Sequence, residues 1–246
     1  MKDNFSRQSE LYAKYRPAYP QELFDFILNH VIGRDAAWDC GTGNGQTAKE
    51  LAKYFKEVFA TDISQKQIQK GYQAKNIFYS VQSAEHTNFE DNSFDLVTVS
   101  QALHWFSFPE FYNEVKRVTK PGGWIAAWTY TLPSVSPEID KLVQVKLYKE
   151  TLGTYWDYER KLVDEKYATI PFPFNEKSCP VFTMQFEWTL EELIGYTNTW
   201  SALQKFIAAN SFNPADALKG QIEPYWVAEK MTIHFPVYLR MGQIVK

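Results

Sequence analysis

The feature that most constrains this chain is an alternation of short apolar runs with longer amphipathic segments between residues 36 and 128. Strands that are buried on both faces read as continuous apolar runs, and parallel strands need helical crossovers between them. Right-handed crossovers then give a doubly wound α/β sheet. The predicted strands are residues 36–40, 58–61, 77–81, 94–99 and 124–128, and the predicted helices are residues 20–28, 47–55, 64–72 and one that starts at the capping box Ser107-Phe108-Pro109-Glu110.

After residue 130 this alternation stops. The spacing of apolar residues predicts helices over residues 136–152 and roughly 155–167, and a second capping box, Thr189-Leu190-Glu191-Glu192, predicts a helix toward Trp200. Two segments alternate like strands, residues 182–188 and residues 231–241. Pro236 in the second of these suggests an edge strand or a bulge.

Composition excludes several classes of protein. The 26 Lys and Arg residues against 29 Asp and Glu residues give a net charge of −3, whereas a general nucleic-acid coat needs a strongly basic face. Two cysteines, Cys40 and Cys179, are too few for a disulfide framework or a four-ligand zinc site. We find no secretion signal and no run approaching the ~18 apolar residues of a membrane span. We therefore expect a cytoplasmic monomer or homodimer that binds no metal, nucleic acid or membrane. Aromatic residues make up 17% of the chain, which hints at an aromatic-lined pocket.

A glycine-rich turn follows the first predicted strand. Gly41, Gly43 and Gly45 alternate there, which lets the backbone turn sharply and come close to a ligand. The next helix directs its unpaired N–H groups at the same place. Asp39 precedes the turn, and Asp62 ends the second predicted strand 23 residues later. In a doubly wound sheet both carboxylates lie beside the switch point where ligands bind.

These two acids indicate which ligand binds. A carboxylate at the tip of the second strand can accept hydrogen bonds from both hydroxyls of a ribose, as dinucleotide enzymes show. Asp39, however, would repel a pyrophosphate, and Gln46 stands where the dinucleotide pattern has Gly or Ala. S-adenosylmethionine carries an ammonium, a sulfonium and a ribose but no phosphate. The residues therefore favour S-adenosylmethionine, with an NAD(P)-dependent oxidoreductase or a non-catalytic binding protein as alternatives.

At this point the sequence resembles the class I S-adenosylmethionine-dependent methyltransferases over roughly residues 35–130. The motifs that carry this resemblance are Asp39-Cys40-Gly41-Thr42-Gly43-Asn44-Gly45, Asp62, Ser83-Ala84-Glu85, Phe94-Asp95-Leu96-Val97 and Lys120-Pro121-Gly122-Gly123. Three further motifs are similar to the trans-aconitate methyltransferase branch: Tyr12-Ala13-Lys14-Tyr15-Arg16-Pro17-Ala18-Tyr19-Pro20, Gln101-Ala102-Leu103-His104-Trp105-Phe106 and Thr199-Trp200-Ser201-Ala202.

The resemblance implies a Rossmann-like, seven-stranded, mostly parallel sheet with an antiparallel last strand and a helical cap. It divides one domain into lid helices (residues 1–33), a cofactor-binding core (34–134), a strand plus helical cap (135–230) and the last strand (231–246). For the cofactor it implies that Gly41, Gly43 and Gly45 line the methionine part, Asp62 takes the ribose hydroxyls, Ile63 packs on the adenine, Ala84 and Glu85 border it, and Gln101 lies below the sulfur. Together with Asp39, these are the predicted cofactor-binding residues.

The acceptor side is less constrained. Methyl transfer is an in-line displacement that the cofactor itself activates, so an ionised carboxylate needs no base, whereas an amine or hydroxyl does. We expect a small-molecule acceptor, with a carboxylate oxygen leading and a quinone, phenol or amine as alternatives. His104 and Arg16 are the predicted catalytic residues: His104 can donate to a carboxylate or take a proton, and Arg16 can clamp an anion of the substrate or of the cofactor. The predicted substrate site comprises Tyr12, Tyr15, Arg16, His104, Trp105, Trp128 and Tyr130.

Overall fold

The computed structural model describes residues 18–246 of the chain. Within this range eight strands form one sheet: β1 Ala36–Cys40, β2 Glu57–Asp62, β3 Ile77–Val81, β4 Phe94–Ser100, β5 Thr119–Tyr130, β6 Asn175–Lys177, β7 Val181–Trp188 and β8 Met231–Gln243. The order is β3-β2-β1-β4-β5-β8, and β6 and β7 both pair with the other edge of β8. The sequence did not predict β6.

The pairing confirms the predicted sheet. Strands β1 to β5 run parallel, and β8 is antiparallel to β5, β6 and β7. Since β6 and β7 share one edge of β8, they together fill the seventh position. The sheet is therefore mostly parallel, and its last strand in the chain is the antiparallel one.

Helices cover both faces of the sheet. In chain order they are α1 Gln21–Leu28, α2 Gln46–Leu51, α3 Gln65–Ile68, α4 Phe108–Val118, α5 Pro137–Asp140 (continued by a π-helix over Lys141–Thr151), α6 Arg160–Asp164, α7 Leu190–Thr197, α8 Ser201–Asn210 and α9 Pro214–Ile222. Short 3₁₀ turns lie at Leu103–Trp105, Gly153–Tyr155 and Glu223–Tyr225. No helix within residues 18–246 has the length and apolar character to cross a membrane.

Three predicted helices are shorter than expected. The helix predicted over residues 64–72 ends at Ile68. The chain then brings Gly71 so close to the ring of Tyr79 that a Cβ on Gly71 would lie 2.6 Å from a ring atom. The one predicted over residues 47–55 ends at Leu51 and continues as turns. The one predicted over roughly residues 155–167 is only α6, because Lys166 and Tyr167 adopt left-handed φ angles of 60° and 61°.

The fifth strand is longer than expected. It begins at Thr119, directly after α4, so Pro121-Gly122-Gly123, which precede the strand predicted over residues 124–128, lie inside the strand. Gly122 has a φ of 75°, and the register between β4 and β5 shifts between Phe94 and Leu96. The glycines therefore make an irregularity in the strand, not a separate loop.

The two predicted capping boxes differ. At Thr189 the box is complete: its hydroxyl accepts from Glu192 N at 3.2 Å, and Glu192 accepts from Thr189 N at 2.8 Å. At Ser107 it is not formed, because the hydroxyl donates to Glu110 and no side chain caps the helix N–H groups. Ser107 N donates instead to Glu85 Oε1 at 3.1 Å, so a residue from the loop after β3 takes the role predicted for Glu110.

β8 lies in the interior of the sheet, but at Pro236 it has a strand partner on one side only, so the predicted edge position is confirmed locally. Pro236 pairs with Thr183 of β7, and its carbonyl accepts from Thr131 N at 3.3 Å. In a strand the nitrogen and the carbonyl of one residue face the same side. The missing N–H of Pro236 therefore faces past the end of β5, whose pairing with β8 stops at Tyr130 opposite Val237.

Two apolar clusters lie on opposite faces of the sheet, because neighbouring residues of β1 alternate between them. Ala37 belongs to the cluster that contains α1 and the helices after residue 136, and Trp38 to the cluster that contains α4. Val163 and Tyr167, in and after α6, join the cluster with α4. The α6 region therefore lies where the cap reaches round to the second face.

Candidate active site

The glycine turn after β1 is shaped by what surrounds each glycine. Gly41, Gly43 and Gly45 have left-handed φ angles of 68°, 57° and 80°. A Cβ on Gly41 would lie 2.7 Å from the Cβ of Ala102, and one on Gly45 would lie 2.0 Å from the hydroxyl of Tyr79. A Cβ on Gly43 would meet nothing within 4 Å. Side chains of the protein therefore lie directly against Gly41 and Gly45, whereas Gly43 faces open space.

Asp62 holds this turn in place. Its Oδ2 accepts from Gly43 N at 2.9 Å, and its Oδ1 accepts from Ser64 N at 2.8 Å. A carboxylate oxygen has two lone pairs, so these backbone bonds are compatible with hydroxyl bonds from a ligand. The structure thus brings Asp62 and Gly43 together at the tips of β1 and β2, as the sequence predicts.

Asp39 is fully buried and bonded within the protein. Its Oδ2 accepts from the Thr42 hydroxyl at 2.6 Å and its Oδ1 from the Thr98 hydroxyl at 2.9 Å. Burial raises its pKa to about 6, against the lowering effect of these two hydroxyls. The carboxylate therefore fixes the turn to β4 from below and acts on a ligand through its charge.

Three carboxylates make this end of β1 electronegative. Burial first, and then the charges of Asp39, Glu85 and Asp62, hold the pKa of the Cys40 thiol well above its ordinary value. A cation would be favoured here and a pyrophosphate disfavoured. The structure thus supports the charge argument drawn from the sequence with a third acid.

The segment after β3 borders the same place. Ala84 is buried, and Glu85 accepts from Ser107 N and from the Ser83 hydroxyl. Ile63, immediately after Asp62, leaves 41% of its surface exposed, which is high for an isoleucine next to a buried strand. An exposed apolar side chain beside a polar turn is available to a flat apolar ligand group.

Gln101 stands at the tip of β4 with a φ of 53°. Its side chain is directed at β5: Oε1 accepts from the Thr129 hydroxyl at 2.6 Å and from Tyr130 N at 3.0 Å, and Nε2 donates to Tyr130 O at 3.3 Å. The amide therefore joins two strands, and the position of Gln101 below the sulfur of the cofactor stays a prediction.

His104 is almost completely buried in the 3₁₀ turn after β4. Its Nδ1 lies 2.8 Å from the Tyr167 hydroxyl, and burial together with the positive charge of Arg160 lowers its pKa to about 3. The imidazole is therefore neutral at pH 7. Of the two roles predicted for it, hydrogen-bond donor suits this state, whereas a group with so low a pKa is a weak proton acceptor.

The predicted aromatic wall is a packed cluster. Trp128 is fully buried between Tyr19, whose ring lies edge-on at 5.4 Å, and Phe24 at 6.1 Å. Tyr130 is buried against Tyr19 and Phe235. This packing favours a core role for both, and their contact with substrate stays a prediction. Trp105 is partly exposed, and its ring packs at a tilt beside His104 with the ring centres 4.9 Å apart. Tyr12, Tyr15 and Arg16 lie outside the described residues.

The structure also brings forward two residues that the sequence did not single out. Tyr167 contacts His104, and Arg160 of α6 lies close enough to His104 to influence its pKa. Both come from a segment that sequence spacing marked only as helical. A signal exists in hindsight, because Arg160 follows Trp156 and Tyr158 as Arg16 follows Tyr12 and Tyr15.

Comparison with known proteins supports an enzymatic site. The sequence profile of a methyltransferase domain family matches residues 38–127. A protein of Dictyostelium discoideum, named as a methyltransferase, is 35% identical over 252 residues, covering 98% of this chain and 95% of the relative. A protein of Saccharomyces cerevisiae, named as an S-adenosylmethionine-dependent methyltransferase, is 23% identical and covers 86% of this chain and 84% of its own length.

Solved structures agree with this assignment. The structure of a type II methyltransferase from Anaeromyxobacter dehalogenans superposes with a TM-score of 0.87 at 33% identity, covering 94% of this chain and 99% of that one. The oxidoreductase alternative is thereby overturned. The chain belongs to the class I S-adenosylmethionine-dependent methyltransferases.

Proposed function

We propose that this methyltransferase transfers its methyl group to a carboxylate oxygen of a small molecule. S-adenosylmethionine supplies an electrophilic methyl group on a sulfonium. A carboxylate lone pair forms the new O–C bond while the C–S bond breaks and its electron pair stays on sulfur. The products are a methyl ester and S-adenosylhomocysteine, and no proton has to move.

The cofactor fits the described residues. Gly43 faces open space, Asp62 can take ribose hydroxyls alongside its backbone bonds, and Ile63 offers apolar surface to the adenine. Asp39, Asp62 and Glu85 favour the positive sulfonium and ammonium. Asp62→Ala should weaken S-adenosylmethionine binding by at least about 1 kcal/mol in calorimetry, since it removes the hydroxyl contacts and frees the turn. An unchanged dissociation constant would contradict this placement.

The state of His104 carries the proposal for the acceptor. His104, in the turn that follows β4 at the rim of the predicted site, is neutral and buried and has a pKa of about 3. An alcohol or a protonated amine needs a proton acceptor before it can attack, whereas a carboxylate is already ionised at pH 7. Neutral His104 can donate a hydrogen bond to such a carboxylate. The resemblance of three motifs to the trans-aconitate methyltransferase branch supports the same class of acceptor.

The test is a panel of acceptors with methyl-labelled S-adenosylmethionine. Each carboxylic acid is paired with its amide, which has a similar shape but no charge, and phenols, quinones and amines complete the panel. We expect label in one or more acids and in none of their amides, in a product that mild base hydrolyses to labelled methanol. Label confined to a base-stable product from a phenol, a quinone or an amine would overturn the carboxylate proposal and leave the methyltransferase assignment intact.

A further inference from the structure

The α6 region lies beside the carboxyl end of β4, where the active site is predicted. The helix packs against the 3₁₀ turn Leu103–Trp105 that follows β4. Arg160, at its start, contacts Tyr148 and Trp156, while Val163 and Tyr167 belong to the cluster on the other face. Tyr148 and its neighbour Trp200 belong to the first cluster. Arg160 therefore lies between the two faces, above the carboxyl ends of the central strands.

The guanidinium of Arg160 is held on one side only. Its Nε donates to the Tyr148 hydroxyl at 2.7 Å and to Asp164 Oδ1 at 3.2 Å. The Tyr148 hydroxyl in turn donates to the Asp164 carboxylate at 2.7 Å. The guanidinium carbon lies 5.2 Å from the centre of the Tyr148 ring and 5.0 Å from that of Trp156. These contacts fix the orientation of the planar group.

The terminal nitrogens of Arg160 have no hydrogen-bond partner in the described part of the chain. Asp164 balances part of the charge, but its side chain is 43% exposed and its attraction is screened by water. A groove of about 400 Å³, lined by Tyr148, Trp156 and Arg160 among others, gives a small molecule access to this group. A fixed guanidinium with an unused pair of nitrogens matches the two oxygens of a carboxylate.

Arg160 is linked to the predicted site by the packing of α6 against the turn that contains His104. Its charge acts on His104, whose neighbour Trp105 is part of the turn that α6 contacts. A negative acceptor would thus meet one positive group and one neutral donor at the same place.

We propose that Arg160 binds the carboxylate group of the methyl acceptor through its two terminal nitrogens and thereby determines specificity for acids. This inference rests on the proposed function. Each carboxylate oxygen keeps a second lone pair when Arg160 donates to it, so one of them remains able to attack the methyl carbon. The rings of Tyr148 and Trp156, whose centres lie 4.6 Å apart, cover one side of the guanidinium and restrict it to this orientation.

The test compares Arg160→Gln and Arg160→Lys with Lys219→Gln. Lys219 is a cation of α9 that pairs with Glu191 at 2.8 Å and does not line the groove of Arg160. The substrate is the acid most efficiently methylated in the panel. We expect Arg160→Gln to raise its KM by about 30-fold and Arg160→Lys by about 10-fold, because lysine keeps the charge but not the paired donors. Lys219→Gln should leave KM unchanged.

Three results are decisive. A raised KM in both Arg160 variants, with the dissociation constant of S-adenosylmethionine unchanged, supports the inference. If an acid is methylated and Arg160→Lys has the KM of the unaltered protein, the inference is overturned while the proposed function stands. If the unaltered protein methylates only amines, quinones or phenols, both fail. Should Arg160→Gln not fold, Arg160→Lys alone decides between these results.

Discussion

The glycine turn and the surroundings of Arg160 lie at the same end of the sheet, but they are built from different materials. The turn consists of backbone N–H groups and short polar side chains, such as the bond from Gly43 N to Asp62. Around Arg160, long side chains from separate helical segments meet: Tyr148, Trp156 and Trp200 pack ring against ring. The first arrangement depends on the path of the chain, and the second on which side chains the cap presents.

This difference has a consequence for evolution and for mutagenesis. A change in the turn alters backbone geometry, so that folding and cofactor binding change together. A change in the cap alters one side chain among many, so that the acceptor can change while the fold and the cofactor site persist. Each prediction below tests one side of this contrast.

The largest effect is expected for Gly41→Ala. The new side chain would adopt a strained φ of 68° and lie 2.7 Å from Ala102, so we expect a loss of about 3 kcal/mol in the free energy of unfolding, measured in urea without ligand. Gly43→Ala is the matched control, with a φ of 57° but open space around its Cβ. It should cost about 1 kcal/mol of stability and affect mainly the affinity for S-adenosylmethionine. Equal destabilisation by both variants would show that the side chains packed against Gly41 do not distinguish it from Gly43.

An intermediate effect is expected for Tyr167→Phe on the cap side. The change removes the hydrogen bond to His104 Nδ1 and leaves a buried ring nitrogen without its partner, at a cost of about 1.5 kcal/mol in unfolding free energy. Acceptor turnover should fall, and calorimetry should show unchanged cofactor affinity. Tyr158→Phe, at a tyrosine that is 83% exposed in the same region, serves as the control and should behave like the unaltered protein. Cofactor binding that weakens in Tyr167→Phe would show that the two sides are not separable.

The smallest effect is a pH dependence that Asp39 should confer. Its pKa of about 6 is above the ordinary value of 3.8, so the protonated form is favoured in the folded state. Its contribution to stability is therefore greatest below about pH 4 and is lost as the pH rises through 6. Cofactor binding should show the opposite trend, because the ionised carboxylate attracts the sulfonium.

Calorimetry between pH 5 and pH 7 can measure this trend. We expect S-adenosylmethionine to bind about fivefold more tightly at the higher pH, with a smaller gain for S-adenosylhomocysteine, which lacks the sulfonium charge. In Asp39→Asn, the change in affinity between pH 5 and pH 7 should be the same for both ligands. If the affinity for S-adenosylmethionine still rises more with pH than that for S-adenosylhomocysteine in this variant, a group other than Asp39 causes the pH dependence.

The sequence predicts the glycine turn well because this region is built from local patterns in the chain. Apolar runs, a glycine turn and an acid at the next strand tip are local patterns, and the sheet order follows from them. The cap could not be read in this way, because its contacts join distant residues. His104 and Tyr167 are 63 positions apart in the sequence. In addition, α6 is followed by Lys166 and Tyr167, which adopt left-handed φ angles although neither is a glycine.

Some predictions concern properties that these contacts do not address. The division into lid, core, cap and last strand and the monomeric or dimeric state stay predictions. The same holds for the anion clamp at Arg16. Glu85 illustrates the limit of motif reading: the resemblance assigns it to the adenine, whereas its bond to Ser107 also anchors the start of α4.

Pro236 determines where the cap can begin. With no N–H to offer at that position, β8 accepts only the single bond from Thr131 beyond the end of β5, and regular pairing resumes for one residue pair at Ser134 and His234. The chain is thus released from the sheet over residues 131–133 and turns into α5, above the carboxyl edge. One imino acid in β8 thereby sets the departure point of the cap that carries Arg160.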